Sequence, residues 1–247
     1  LAVLPTGTGK SLCYQLPAYV LGHTTVIVSP LIALMQDQVT QLNYQGEKKA
    51  VAINSNLEWQ QRQQLYQHLA QYRFVFMAPE TLSQPAAIAA LKQCQIDLFV
   101  VDEAHCISQW GIDFRPDYLA LAKIKTQLKP SATLALTATA NAQVQADIIK
   151  KLELPAVHKV LTSVDRPNIY LGVSQQPDEA AKDAFLVALV QQSQAPGIIY
   201  CSSRQKTVEI AALLQQKTNL NIAYYHAALT PQDRYMIQQQ FMQGKLD

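Results

Sequence analysis

An α/β architecture built on parallel sheets follows from three features of the 247-residue sequence: short apolar runs bounded by turn residues, longer stretches with helical spacing, and regular alternation of the two. Parallel strands joined by helices are covered on both faces, so each strand reads as an unbroken apolar run. Residues 1–4, Leu-Ala-Val-Leu, form the first such run, and a Pro-Thr-Gly-Thr-Gly turn leads from it into a helix over 11–21. The second strand, 26–29, ends at Pro30 and is followed by a helix over 31–44. A helix over 58–71, its apolar stripe blurred by glutamines, precedes a strand at 74–77. Strands at 98–101 and 133–136 and a helix over 142–152 complete this series.

A break follows Leu154-Pro155. The stretch 163–168, with Asp165-Arg166-Pro167-Asn168, reads as an extended connector because the residue before a proline disfavours helix. The expected organisation is a first domain over 1–160, a connector over 161–175 and a second domain over 176–247. Strands are expected in the later part at 169–173, 198–201 and 222–225, with helices at 179–192, 205–216 and 231–243. Thr230 caps the last helix and Pro231 takes its first position.

Hydrophobic residues make up 49% of the chain and charged residues 15%, enough apolar material for a core and too little charge for a disordered polyelectrolyte. The net charge of +2 and a pI near 8.3 leave a polyanionic partner open. Cys13, Cys94, Cys106 and Cys201 are scattered, without a C-x-x-C pair or a histidine at zinc-ligand spacing, which suits a reducing compartment without structural zinc. The sequence has no apolar run of membrane-spanning length and no signal-peptide pattern. It opens without methionine inside a strand-like run and stops where another strand would start, so it reads as a piece of a longer protein.

Pro5-Thr6-Gly7-Thr8-Gly9-Lys10-Ser11 lies between a strand and a helix, the context a phosphate-binding loop requires. Glycines let backbone N–H groups turn toward phosphate oxygens, and the positive end of the helix adds attraction. Lys10 would reach the β- and γ-phosphates of a nucleotide, and the Ser11 hydroxyl would ligate Mg²⁺. Leu4 stands where the G-x-x-x-x-G-K-[ST] pattern has its first glycine.

The run Leu98-Phe99-Val100-Val101 ends on Asp102-Glu103-Ala104-His105. Adjacent carboxylates at a strand tip suit catalysis better than packing: Asp102 to hold the Mg²⁺ bound by Ser11, Glu103 to polarise the water attacking the γ-phosphate. Leu136-Thr137-Ala138-Thr139 follows the next strand, and its hydroxyls either bond the acidic cluster or simply end the strand.

In this order, a phosphate loop, D-E-A-H and T-A-T resemble the superfamily-two helicases and translocases. The segment 106–118, Cys-Ile-Ser-Gln-Trp-Gly-Ile-Asp-Phe-Arg-Pro-Asp-Tyr, looks like the aromatic-rich loop of RecQ-family DNA helicases. Further similar segments are Leu12-Cys13-Tyr14-Gln15, Ser29-Pro30-Leu31, Pro79-Glu80, Asp165-Arg166-Pro167-Asn168, Ser203-Arg204 and Tyr225-His226-Ala227-Ala228-Leu229. Ile112, Asp117 and Ala228 depart from the family pattern, which usually has histidine, glutamate and glycine there.

The resemblance implies tandem RecA-like P-loop domains with parallel sheets, both incomplete in this chain, and 3′-to-5′ translocation on single-stranded DNA driven by ATP and Mg²⁺. Single-stranded and forked DNA would be the partners, recombination and repair the role, and the cytoplasm (or a nucleus, in a eukaryote) the location. Thr6, Gly7, Thr8, Gly9, Lys10 and Ser11 would bind nucleotide, and Lys10, Asp102, Glu103 and His105 would serve catalysis. Trp110, Phe114 and Arg115 would sense DNA, while Ser29, Pro79, Thr137, Thr139 and Arg204 would contact it or couple it to ATP. A stacked base is worth about 1–3 kcal/mol on such aromatic faces. Read without the resemblance, Trp110 and Phe114 serve equally well as buried loop anchors. The adenine-recognising segment and arginine finger of the family lie outside the chain, so tight nucleotide binding with poor hydrolysis is expected of it. The same nucleotide motifs occur in RNA helicases and in translocases that do not unwind, and a nucleotide- and DNA-binding module without turnover is a third reading.

Overall fold

The computed structural model describes residues 1–163, 168–193 and 196–247. Two compact units divide between Ile169 and Tyr170. In the first, seven parallel strands form one sheet: β1 (Ala2–Val3), β2 (Thr24–Val28), β3 (Ala50–Ile53), β4 (Phe74–Met77), β5 (Ile96–Val101), β6 (Ala132–Thr137) and β7 (Val160–Leu161), ordered β3-β4-β2-β5-β6-β1-β7. Seven helices accompany them: α1 (Leu12–Leu21), α2 (Ile32–Tyr44), α3 (Trp59–Gln67), α4 (Pro79–Leu82), α5 (Pro85–Leu91), α6 (Leu121–Leu128) and α7 (Ala142–Lys151). Short 3-10 turns occupy Leu69–Gln71, Ala104–Ile107 and Pro116–Ala120.

Period-two alternation persists inside the unbroken apolar strands. Val26, Val28, Val75, Met77, Phe99 and Val101 face one core with Ile124, Val144 and Ile148 of α6 and α7. Ile27, Phe74, Phe76, Leu98 and Val100 face the other, against Tyr14 and Ala18 of α1 and Met35 and Leu42 of α2. The sheet is therefore covered on both sides, and its central strand β5 is buried along its full length. Because all strands run one way, the segments after β1, β2, β4, β5 and β6 emerge at one edge, where ligands of open α/β sheets bind.

The sequence pattern overlooks β3, β7, α4, α5 and α6. β3 and β7 are short, and β7 is exposed. Its two residues pair with β1 only after about 155 intervening residues of chain, a non-local partnership that no local pattern encodes.

In the second unit the structure holds α8 (Glu179–Gln192), α9 (Arg204–Lys217) and α10 (Pro231–Met242), capped by Asp178, Ser203 and Thr230 side chains. The strands expected at 169–173, 198–201 and 222–225 are not formed. Those segments are β-favouring, yet no ladder partner pairs with them among the described residues, and Leu171, Val173 and Tyr200 stand exposed. A β-favouring composition fits a strand's surface but does not supply its hydrogen-bond partner. Asp165, Arg166 and Pro167 of the expected connector lie outside the described residues. No helix among the described residues is long and apolar enough to cross a membrane.

Phe99 is fully buried in the central strand, between β2 and β6. Phe99→Ala should cost about 3–5 kcal/mol in denaturant unfolding of the chain, whereas Val173→Thr, at a fully exposed site, should change it by less than about 0.5 kcal/mol.

Candidate functional site

The turn after β1 carries its glycines where the backbone demands them. Gly7 and Gly9 have φ of 83° and 87°, left-handed values that favour glycine. The Thr8 hydroxyl donates to the Pro5 carbonyl at 2.6 Å, closing the turn. Leu4, at the position where the pattern has glycine, extends the β1 ladder: its N–H donates to the Thr137 carbonyl at 3.0 Å. Lys10 Nζ lies 3.3 Å from the Leu4 carbonyl. Ser11 stands at the N-cap position of α1, half-buried and without a side-chain capping bond, and Thr6, Gly7 and Thr8 are exposed, open to a ligand.

Asp102 is tied to the next strand, its N–H donating to the Val28 carbonyl at 2.9 Å. Glu103 then turns into a left-handed conformation at φ 46°, and its N–H donates to Asp102 Oδ1 at 3.0 Å. Burial, and then the Glu103 charge, push the Asp102 carboxyl up to about 6; among the described residues it has no ion-pair partner. Lys10 lowers both carboxyl pKa values, the electrostatic sign that lysine and acid pair share one site.

His105 binds the pair to the neighbouring strand. Its Nδ1 is 2.8 Å from Thr137 Oγ1 and 3.3 Å from Glu103 Oε2. Hydrogen bonding with Cys106, and next with Glu103, raises the histidine to about 9, and its own bond to Glu103 holds that carboxyl below the usual range. At neutral pH the two form an ion pair. Thr137 is fully buried; Thr139 is exposed and joins through its backbone, its N–H donating to Thr137 Oγ1 at 3.2 Å.

The loop over 106–118 folds directly onto this cluster. A Cβ built on Gly111 would lie 2.3 Å from the His105 carbonyl oxygen, so only glycine permits so close an approach. Tyr118 is fully buried and donates its hydroxyl to the Asp102 carbonyl at 3.1 Å. Neither residue stood out in the sequence as an anchor; a glycine between two large apolar residues, Trp110 and Ile112, is the signal that could have marked a close approach. Trp110 and Ile112 project outward, 71% and 84% exposed, so the buried-anchor reading fails for Trp110. Phe114 is half-buried with Lys151 Nζ 5.9 Å from its ring centre. Arg115 reaches the Ser29-Pro30 segment, donating to the Pro30 carbonyl at 3.0 Å and pairing with Asp113.

Ser29 and Pro79 are buried at the tips of β2 and β4, and the Ser29 and Thr81 hydroxyls have no hydrogen-bond partner among the described residues. Arg204 opens α9 in the second unit. The structure thus brings together Lys10, Asp102, Glu103, His105 and Thr137, with 106–118 packed against them. The donor set suits a magnesium–nucleoside triphosphate: backbone at 6–9, exposed over 6–8, for phosphates, Lys10 for their charge, and the Ser11 hydroxyl with the half-buried Asp102 carboxylate, which has no ion-pair partner among the described residues, for a hard cation.

Residues 1–148 match the family model described as DEAD/DEAH box helicase. Over the whole chain there is 47% identity to a protein named as probable ATP-dependent DNA helicase RecS of Bacillus subtilis, half of whose length is covered, and 39% to ATP-dependent DNA helicase RecQ of Haemophilus influenzae, of which 39% is covered. The chain thus spans half or less of these curated relatives. Among solved structures, DUF1998 helicase MrfA bound to DNA and AMPPNP superposes with a TM-score of 0.71 at 18% identity, over 99% of this chain and 38% of that one. DEAD-box helicase Mss116 bound to ssRNA and UDP-BeF gives 0.70 at 17%, over 97% and 54%. At such identity these two likenesses concern the fold, which is that of RecA-like helicase domains.

Lys10→Ala should weaken Mg²⁺–ATP binding by about ten- to a hundredfold in calorimetry, the worth of a hydrogen bond to a charged group. A carboxyl titrating at about 6 is ionised above that pH and protonated below it, and a proton competes with a metal for it. The Mg²⁺-dependent part of nucleotide affinity should therefore fall as pH is lowered through about 6, and Asp102→Asn should abolish that pH dependence.

Proposed function

The chain belongs to the DEAD/DEAH box helicase family, and from that premise we propose that it is part of an ATP-dependent DNA helicase of RecQ type. In this reading the protein translocates 3′ to 5′ on single-stranded DNA, unwinds forked duplexes and serves recombination and repair. Residues 1–160 are the RecA-like ATP-binding domain, 161–175 a connector, and 176–247 belong to a second RecA-like domain. The observation that carries the reading is the seating of 106–118: the loop that exposes Trp110 rests by Gly111 on the carbonyl of His105, inside the acid cluster itself.

Each residue then has a task. Backbone N–H groups at 6–9 and the start of α1 bind phosphate oxygens, and Lys10 leaves the Leu4 carbonyl for the β- and γ-phosphates. Ser11 and Asp102 hold Mg²⁺, which when bound offsets phosphate charge. Glu103 orients the attacking water; its ion pair with His105 fixes the carboxylate, and Thr137 fixes the histidine. Trp110 offers a stacking face to a base, Phe114 lies half-buried beside Lys151 in the same loop, and Arg115 is a guanidinium for backbone phosphate. Ser29, Pro79 and their buried hydroxyl neighbours line strand tips suited to phosphate contacts that carry no sequence information. Thr139 and Arg204 join this DNA-coupling set.

Single-stranded DNA moving Trp110 or Arg115 would thereby act on Gly111 and so on His105 and Glu103. Steady-state hydrolysis by the full-length protein should rise with single-stranded DNA. Trp110→Ala, which removes a stack worth about 1–3 kcal/mol, should raise the DNA concentration for half-stimulation at least fivefold, roughly the lower end of that range. Equal stimulation by single-stranded RNA would overturn the DNA assignment in favour of an RNA helicase.

A further inference from the structure

Helix α7 lies outside every motif assigned above, yet it holds the 106–118 loop at three points. Asp147 Oδ2 accepts the Ser108 hydroxyl at 2.7 Å. Ser108 is fully buried, and its oxygen in turn accepts the Trp110 N–H at 3.2 Å. One turn further along the helix, Lys151 sits 3.6 Å from Asp147 Oδ2, donates to the Ile107 carbonyl at 3.1 Å and lies 5.9 Å from the Phe114 ring centre. Both side chains are largely withdrawn from solvent, 16% and 28% exposed. Beyond their i,i+4 contact, both side chains make charge-assisted bonds to the loop.

We propose that Asp147 and Lys151 are positioning residues that set the resting place of the DNA-sensing loop, making α7 a third support beside the Gly111 seat and the Tyr118 anchor. The loop's entry, at Ile107-Ser108, is held by charge-assisted bonds, and its aromatic arm by a cation over Phe114. Of the tip, the exposed Trp110 side chain is left free to answer a ligand. α7 begins five residues after Thr137, whose hydroxyl meets His105. One stretch of chain therefore supports the acid cluster at its start and the loop along its length. The hydrogen bonds that Asp147 and Lys151 make go to Ser108 and Ile107, so the pair bears on the acid cluster through the start of the loop.

This inference rests on the proposed DNA-sensing role of the loop, and its test separates the two. With Trp59→Phe, Trp110 is the single tryptophan of the chain, and its fluorescence anisotropy reports loop order without any DNA. Asp147→Ala should lower that anisotropy in the chain, leave its Mg²⁺–ADP affinity within about twofold of the parent, and cut stimulation of hydrolysis of the full-length protein by dT oligonucleotides by about threefold or more. Lys151→Arg should keep both readouts, and Lys151→Met should lose both. Ser108→Ala removes the same bond with little change in volume and should reproduce Asp147→Ala, including where the latter folds poorly; combining the two should add nothing. Unchanged anisotropy in Asp147→Ala and Ser108→Ala overturns the inference, as does loss of nucleotide affinity in step with stimulation, which marks a general folding defect. If the parent protein ignores dT oligonucleotides, the helicase reading fails, and the anisotropy arm still decides whether the clamp exists.

Discussion

Everything at the nucleotide site depends on the hydrogen-bonded tip of β5. The strand is buried on both faces and flanked by β2 and β6, so its end has almost no freedom. Onto that fixed point the chain attaches Asp102, bonded through its N–H to Val28, and Glu103 in a left-handed turn. Holding a non-glycine residue there costs of order 1 kcal/mol, and such strain persists only when its surroundings over-determine it. Here the surroundings are the Tyr118 hydroxyl on the Asp102 carbonyl, the Glu103–His105 pair and the Thr137 hydroxyl behind it.

The same arrangement brings the two proposed recognition sites together in few residues. A parallel sheet delivers all its strand ends to one edge, so the phosphate loop after β1, the acid pair after β5 and the threonine ending β6 are neighbours without further design. The loop over 106–118 follows the acid pair in sequence and returns to it in space, with Gly111 against the His105 carbonyl. The acid pair and the loop are thereby packed as one element. That is the physical requirement for coupling a polymer's presence to hydrolysis, since it needs a packed element that both ligands bias.

Much of this was legible in the sequence, and the failures have identifiable causes. The strand at Phe74–Met77 and the helix at Glu179–Gln192 fall at their expected limits, because their signals are local: an apolar run in one, an acidic cap and helix formers in the other. The strand-to-helix turn over 5–11 was readable because left-handed backbone at positions 7 and 9 favours glycine. What local pattern cannot supply is a partner. β7 exists because β1 is beside it, and the segments 169–173, 198–201 and 222–225 are not strands because nothing pairs with them among the described residues. In the site, Lys10 and the adjacent carboxylates Asp102 and Glu103 stood out in the sequence, but Tyr118 and Asp147 did not. A buried tyrosine and an aspartate within a helix are ordinary in sequence, and only their distances to Asp102 and Ser108 give them a role.

The most direct test of the account is a crystal structure of the protein with Mg²⁺, a non-hydrolysable ATP analogue and a dT oligonucleotide. The account predicts phosphates cradled by residues 6–11, Lys10 Nζ withdrawn from the Leu4 carbonyl to meet them, a cation between Ser11 and Asp102, and a nucleobase against Trp110. Phosphates bound elsewhere, or a nucleotide seated at 6–11 while the oligonucleotide avoids the 106–118 loop, would contradict the claim that one strand tip unites the two sites.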